Sequence, residues 1–219
     1  MKIITIGGLP AAGKTYTSKL LGEKCNALAL EFESLRWNYY NENLEKNLYE
    51  YTKNETFLEN EKMREYYLRC ALYESIIPLE MLIKWQMATI QYISIKIAEI
   101  LNEFYLIESE EQYEYFCNKY KMLINYKPKF KNLNKNLLIC SHAFINTVEF
   151  TNETRIRIDF TSDKDILVNR FKNRENIEDN LEENIKLYYQ SYEDLLLNSH
   201  AILLDTTKLN VIDKILKLL

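Results

Sequence analysis

The sequence predicts an α/β fold built on a parallel sheet, and three observations carry that prediction. Short apolar, strand-like runs alternate with helical patterns at both ends of the chain. All four glycines, Gly7, Gly8, Gly13 and Gly22, fall near the N-terminus, where a first strand gives way to a first helix. The 219 residues are 47% hydrophobic and 27% charged, the balance of an ordinary globular chain with one substantial core.

Taken in order, the patterns predict strands at Lys2 to Ile6, Ala27 to Phe32, Leu137 to Cys140, Arg155 to Phe160 and Ala201 to Leu204. Helices are expected near Lys14 to Lys24, Asp163 to Arg174, Glu178 to Leu197 and Val211 to Leu218, with Ser162, Asp163 and Asn210 as caps. Between the second and third strands, about 38–127, residues such as Tyr66, Leu68, Leu72, Tyr73 and Ile76 recur at helical spacing. No strand pattern is visible there, so the whole stretch reads as a helical insertion within one domain, 1–219.

Charge and composition exclude several classes. The 28 basic and 32 acidic residues are mixed along the chain for a net charge of −4, with no basic block to track nucleic acid. The apolar run after Met1 meets Gly7, Gly8 and Lys14 too soon for a signal peptide, and the apolar stretch Ala71 to Phe104 is broken by charges too often to span a membrane. Cys25, Cys70, Cys117 and Cys140 have no C-x-x-C spacing and only His142 and His200 accompany them, so reduced thiols and a cytoplasmic location are expected, with no zinc site.

Gly8-Leu9-Pro10-Ala11-Ala12-Gly13-Lys14-Thr15 matches G-x-x-x-x-G-K-[ST], directly after an apolar strand and before a helix. Glycines let successive backbone N–H groups converge on an anion, and the helix that follows aims its positive dipole end at the same point. A triphosphate is the natural occupant. Gly8, Ala11, Ala12, Gly13, Lys14, Thr15 and Tyr16 are therefore the expected nucleotide cradle, with Lys14 reaching the β- and γ-phosphates and the Thr15 hydroxyl suited to Mg²⁺.

With this motif in place, the chain resembles the P-loop small-molecule kinases: nucleoside monophosphate kinases, deoxynucleoside kinases and zeta-toxin-type enzymes. Three further segments carry the likeness. Ala29-Leu30-Glu31-Phe32-Glu33-Ser34-Leu35-Arg36 is similar to a second strand that ends in an acid and then an Arg. Arg170-Phe171-Lys172-Asn173-Arg174-Glu175 is similar to lid arginines, and His200 to Thr207 to the fifth strand and the loop beside the adenine. The resemblance implies a P-loop fold with a five-stranded parallel sheet in the order 2-3-1-4-5. It also implies ATP and Mg²⁺ as cofactors, a nucleoside, nucleotide or other small hydroxyl compound as acceptor, and Asp205 and Thr206 beside the base.

Either Glu31 or Glu33 would accept the proton of the attacking hydroxyl or orient the acceptor, with Arg36 nearby, and period-2 alternation puts both carboxylates on one side of the strand. Arg170 and Arg174, four apart on one helix, share a face from which both can reach a transferring phosphoryl group. The chain departs from the family at its third strand, which ends in Ser141-His142 where an acid is often found. That departure leaves three readings open: Ser141 or His142 contacts the acceptor, Mg²⁺ relies on Thr15 and the strand end of Glu31 and Glu33, or the chain is a nucleotide-binding regulatory or scaffold protein without transfer activity. The apolar helix Met81 to Ile100 suits either the core or a homodimer interface.

Overall fold

The computed structural model describes residues 1–35, 79–147, 154–175, 186, 189, 190, 193, 196, 199–208 and 210–219. Its strands are β1 (Lys2–Gly8), β2 (Leu28–Glu31), β3 (Ile124–Tyr126), β4 (Leu137–Ser141), β5 (Thr154–Thr161) and β6 (Ile202–Asp205). The helices are α1 (Lys14–Cys25), α2 (Leu79–Tyr105), α3 (Glu110–Lys119), α4 (Lys164–Glu175) and α5 (Val211–Leu216). Among the described residues the strands form one sheet in the order β3-β2-β4-β1-β5-β6. The five strands read from the sequence are all parallel and take the expected 2-3-1-4-5 order, with β1 held between β4 and β5.

β3 corrects the reading of the insertion as purely helical. It lies inside 38–127 and pairs antiparallel with β2, Ala29 opposite Tyr126 and Leu30 opposite Ile124. Three residues are too few to display a period of two, so the pattern of Ile124-Asn125-Tyr126 carried no signal. β3 also braces α1, because the Asn125 side-chain amide donates to the Thr15 carbonyl and the Ser18 hydroxyl, each at 2.6 Å.

A parallel sheet is covered on both faces, and its central strands β1, β2 and β4 are accordingly mostly apolar runs. Alternate residues serve opposite cores. Ile4, Ile6, Ala29, Ile139 and Ile158 pack with Leu21 of α1 and Ile215 of α5, while Ile3, Leu28, Leu30, Leu138 and Cys140 pack with α2 and α3. Burying each such Ile or Leu contributes about 1.5–3 kcal/mol. On α2, Ile93, Ile97, Ile100, Leu101 and Phe104 form one buried stripe against this second core, leaving Met87 and Ile95 exposed. α3 starts on a capping box, with the Ser109 hydroxyl accepting from the Gln112 N–H and the Gln112 side chain accepting from the Ser109 N–H.

The expected helix over 178–197 lies largely outside the described residues; 186, 189, 190, 193 and 196 are helical. Cys25, Cys117 and Cys140 are free thiols, and burial pushes all three up from the usual thiol range; Cys70 lies outside the described residues. No helix among the described residues is long and apolar enough to cross a membrane.

Candidate nucleotide and acceptor site

The carboxyl ends of β1, β2, β4, β5 and β6 lie at one end of the sheet, and the loop after β1 crosses it. Gly8 has φ 107°, and a Cβ there would stand 2.2 Å from the Phe160 carbonyl oxygen, so both conformation and space demand glycine. Gly13 differs. Its φ is 87°, but an added Cβ would meet nothing within 4 Å, because it would project into the open hollow of the loop. Ala11, at φ 57°, takes the same left-handed turn.

Gly13 is also the N-cap of α1, with no side-chain cap and no acid in the first turn. The dipole end that most helices neutralise with their own side chains is left for an outside anion. Lys14, only 8% exposed, folds over the loop and donates to the carbonyls of Gly8 (3.2 Å) and Leu9 (2.9 Å). An ammonium held by two carbonyls of the hollow's own rim is placed to exchange them for phosphate oxygens. Tyr16 stands exposed beside it.

Two structural devices hold the loop from below. The phenol of fully buried Tyr189 lies 2.9 Å from the Pro10 carbonyl and 3.2 Å from the Leu167 carbonyl, donating toward both. On the sheet side, Asn146 donates to Asp159 Oδ1 (2.7 Å) and to the Ile158 carbonyl (2.8 Å), while Thr5 Oγ1 donates to Asn146 Oδ1 (2.6 Å). Burial raises the Asp159 carboxyl above its usual range, opposed by Ser199, Asn146 and the Lys14 charge. Tyr189, Thr5, Asn146, Asp159 and Ser199 were not singled out from sequence. For Asp159 a signal existed, the one acid near the end of an alternating strand; for Tyr189 and Asn146 there was none.

Across the hollow, Ala27, Ala29 and Glu31 alternate toward the α1 face, and Thr15 Oγ1 donates to Glu31 Oε1 at 2.5 Å. Burial raises the Glu31 carboxyl; the Thr15 hydrogen bond lowers it, Glu33 raises it, and Lys14 and Arg174 lower it. Glu33 is placed differently from the expectation. β2 stops at Glu31 and a helical turn begins at 33, so Glu33 owes its position to that turn and not to strand alternation. Its Oε1 accepts from the Ala143 N–H (3.0 Å), and its Oε2 lies 3.6 Å from His142 Nε2.

The Arg174 guanidinium lies 5.2 Å over the Phe171 ring and its charge acts on Glu31; Arg170 stands one turn earlier on α4, and both side chains are exposed. Arg36 lies outside the described residues. Asp205 Oδ1 accepts from the N–H (2.9 Å) and hydroxyl (2.7 Å) of Thr207, which holds the Asp205 carboxyl below its usual range and tightens the loop after β6. The Thr206 N–H donates to the Thr161 carbonyl at 3.0 Å, docking that loop on the end of β5.

Magnesium fits the donor set only in one way. Among the described residues no three His, Cys, Asp or Glu side chains gather as a metal cage. The Thr15 and Glu31 oxygens, side by side, would instead offer the few hard ligands suited to an ion that arrives with phosphate and keeps several waters.

No protein-family model matches the chain, and no curated protein matches it in sequence. Among solved structures, the chain is similar to a 1.7 Å crystal structure of shikimate kinase from Bacteroides thetaiotaomicron. The two share 14% identity and a TM-score of 0.45, over 100% of this chain and 97% of that one.

Proposed function

We propose that this chain is an ATP-dependent small-molecule kinase whose acceptor is a nucleoside, a nucleotide or another compact hydroxyl compound. The observation that carries the reading is the juxtaposition of Lys14 and Thr15 with the carboxylates of Glu31 and Glu33, at the carboxyl ends of parallel strands. A loop that only bound phosphate would have no need of two acids facing it.

In this reading the loop amides and Lys14 hold the β- and γ-phosphates, and Mg²⁺, bound through Thr15 and Glu31, supplies charge neutralisation. Glu33 takes the proton of the acceptor hydroxyl as that oxygen bonds to the γ-phosphorus and the bond to the ADP oxygen breaks. Arg174 meets the anionic equatorial oxygens, with Arg170 on the same face of α4. The test is ATP-dependent phosphorylation across a panel of nucleosides, nucleotides, sugars and small hydroxy acids, with Lys14→Ala as the control. Transfer to none of them, by a protein that binds ATP, would overturn the reading.

A second reading, a nucleotide-binding regulator without transfer, is favoured by one observation: β4 ends in Ser141 and His142 where an acid would help hold magnesium water. The same panel separates the two.

A further inference from the structure

We infer that His142 is the positioning residue of Glu33: its imidazole and the next backbone N–H hold the two oxygens of that carboxylate, in the place where related strands end in an acid. The inference deepens the kinase reading and takes the role of Glu33 from it, but the contact stands on geometry alone.

His142 is 1% exposed, immediately after β4. A ring this deep must satisfy its nitrogens within the protein. Nδ1 accepts from the Phe144 N–H at 3.1 Å, so in the neutral ring the proton sits on Nε2. That nitrogen faces Glu33 Oε2 at 3.6 Å while Glu33 Oε1 accepts from the Ala143 N–H at 3.0 Å. The Phe144 ring, 5.9 Å away and tilted by 58°, flanks the imidazole. At 3.6 Å the N–H dipole attracts the carboxylate without a formed hydrogen bond. A small rotation of Glu33, whose side chain is 32% exposed, closes the gap.

The residue type follows from this task. Glu33 lies beyond the last residue of β2, on a helical turn with no sheet ladder to fix its direction. A carboxylate at position 142 would repel it, whereas an imidazole locked as an Nε2 donor draws it in. The missing acid at the end of β4 is then a consequence of where this chain keeps its second carboxylate. The other charged groups around the pair are Glu31, which interacts with Glu33, and Lys14 and Arg174, which act on Glu31. Arg155 of β5 donates to the Ile145 carbonyl in the same turn and acts on Cys140.

The chain has two histidines, so selective ¹⁵N-histidine labelling yields two imidazoles, with His200→Gln assigning them. Long-range ¹H–¹⁵N spectra of the full chain should show His142 as the Nε2–H tautomer. In Glu33→Gln the His142 Nε2–H signal should shift, because a neutral amide replaces the carboxylate that faces it, while the His200 signals stay in place. An Nδ1–H tautomer, or an Nε2–H signal that ignores Glu33→Gln, would overturn the inference. If Glu33→Gln loses its cooperative melt, Glu33→Asp, which withdraws the carboxylate by one bond, should give a smaller shift in the same direction.

His142→Asn supplies the kinetic arm, since its Oδ1 keeps an acceptor for the Phe144 N–H but nothing replaces Nε2. Transfer turnover should drop about tenfold, with the acid limb of the pH profile moved upward and the KM for ATP unchanged. Wild-type turnover in His142→Asn would also overturn the inference. Failure of the kinase reading itself appears as wild-type protein that transfers to nothing, and the spectra decide the contact even then.

Discussion

Tyr189→Phe isolates one hydroxyl beneath the phosphate loop. The ring is fully buried and meets Phe171 edge-on, centroids 5.9 Å apart, so phenylalanine keeps the packing and leaves no cavity. What disappears is the O–H between the carbonyls of Pro10 and Leu167, two groups from separate parts of the chain. The net loss of one buried hydrogen bond, with a carbonyl left less satisfied, costs about 1–2 kcal/mol. At about 2–4 °C per kcal/mol for a domain of this size, the melting temperature should fall by about 2–8 °C. Because Pro10 lies at the tip of the loop, part of that loss belongs to the loop's folded geometry. Affinity for a fluorescent ADP should weaken as well, by no more than about tenfold, since a factor of ten is already about 1.4 kcal/mol. Calorimetry and fluorescence titration on the same preparation measure both. Unchanged melting would mean that the phenol makes no contact worth its burial. Lower melting with unchanged ADP affinity would mean that it serves α4 and not the loop.

Lys14→Ala should abolish transfer and weaken triphosphate more than diphosphate binding, and the two affinities, taken by calorimetry, check it. The fold should survive, although the aliphatic stem is buried and a modest drop in melting temperature is expected. Arg174→Ala should cut turnover about a hundredfold or more with little change in melting temperature, and Arg170→Ala less, because only Arg174 acts on Glu31 in this structure. Steady-state rates on an identified acceptor decide, and an equal loss for both would mean that the two residues of this shared face serve the transfer alike. Glu31 makes a pH prediction. Its folded carboxyl is raised, so the folded state holds more protons than the unfolded one as pH climbs from the ordinary glutamate range through the raised value, and stability falls over that window. Glu31→Gln should flatten that fall and melt higher than wild type at neutral pH; parallel pH–melting curves for the two proteins would refute it.

The parts of this molecule legible in its sequence are those encoded locally. Five strands, their order by way of the family resemblance, and the glycine-lined turn before Lys14 rest on a few adjacent residues each. Glu31 was singled out by the resemblance to a second strand that ends in an acid, and as the last residue of β2 it keeps the strand's direction. For Glu33 the same resemblance took the strand too far: the chain leaves the sheet at Phe32, whose N–H still pairs with the Ser141 carbonyl, and turns at once, the Leu35 N–H donating to the Phe32 carbonyl. β3 was lost to its length. Tyr189, Asn146 and Asn125 were invisible for the same reason as each other, since a buried polar side chain shows its worth only beside the backbone group it satisfies. His142 sat between these cases. Its departure from the family pattern could be seen, but its task required Phe144 and Glu33 in place.

The short antiparallel strand at the sheet's margin has a consequence for how the protein behaves in solution. Without β3, the strand that carries Glu31 would be an edge, its unpaired amides open to pairing with another chain. With it, β2 is flanked on both sides, and among the described residues the sheet ends on three residues of β3 at one margin and four of β6 at the other. Margins that short offer a foreign strand too few hydrogen bonds to dock. The same three residues that steady α1 through Asn125 therefore also guard the sheet against stacking edge to edge.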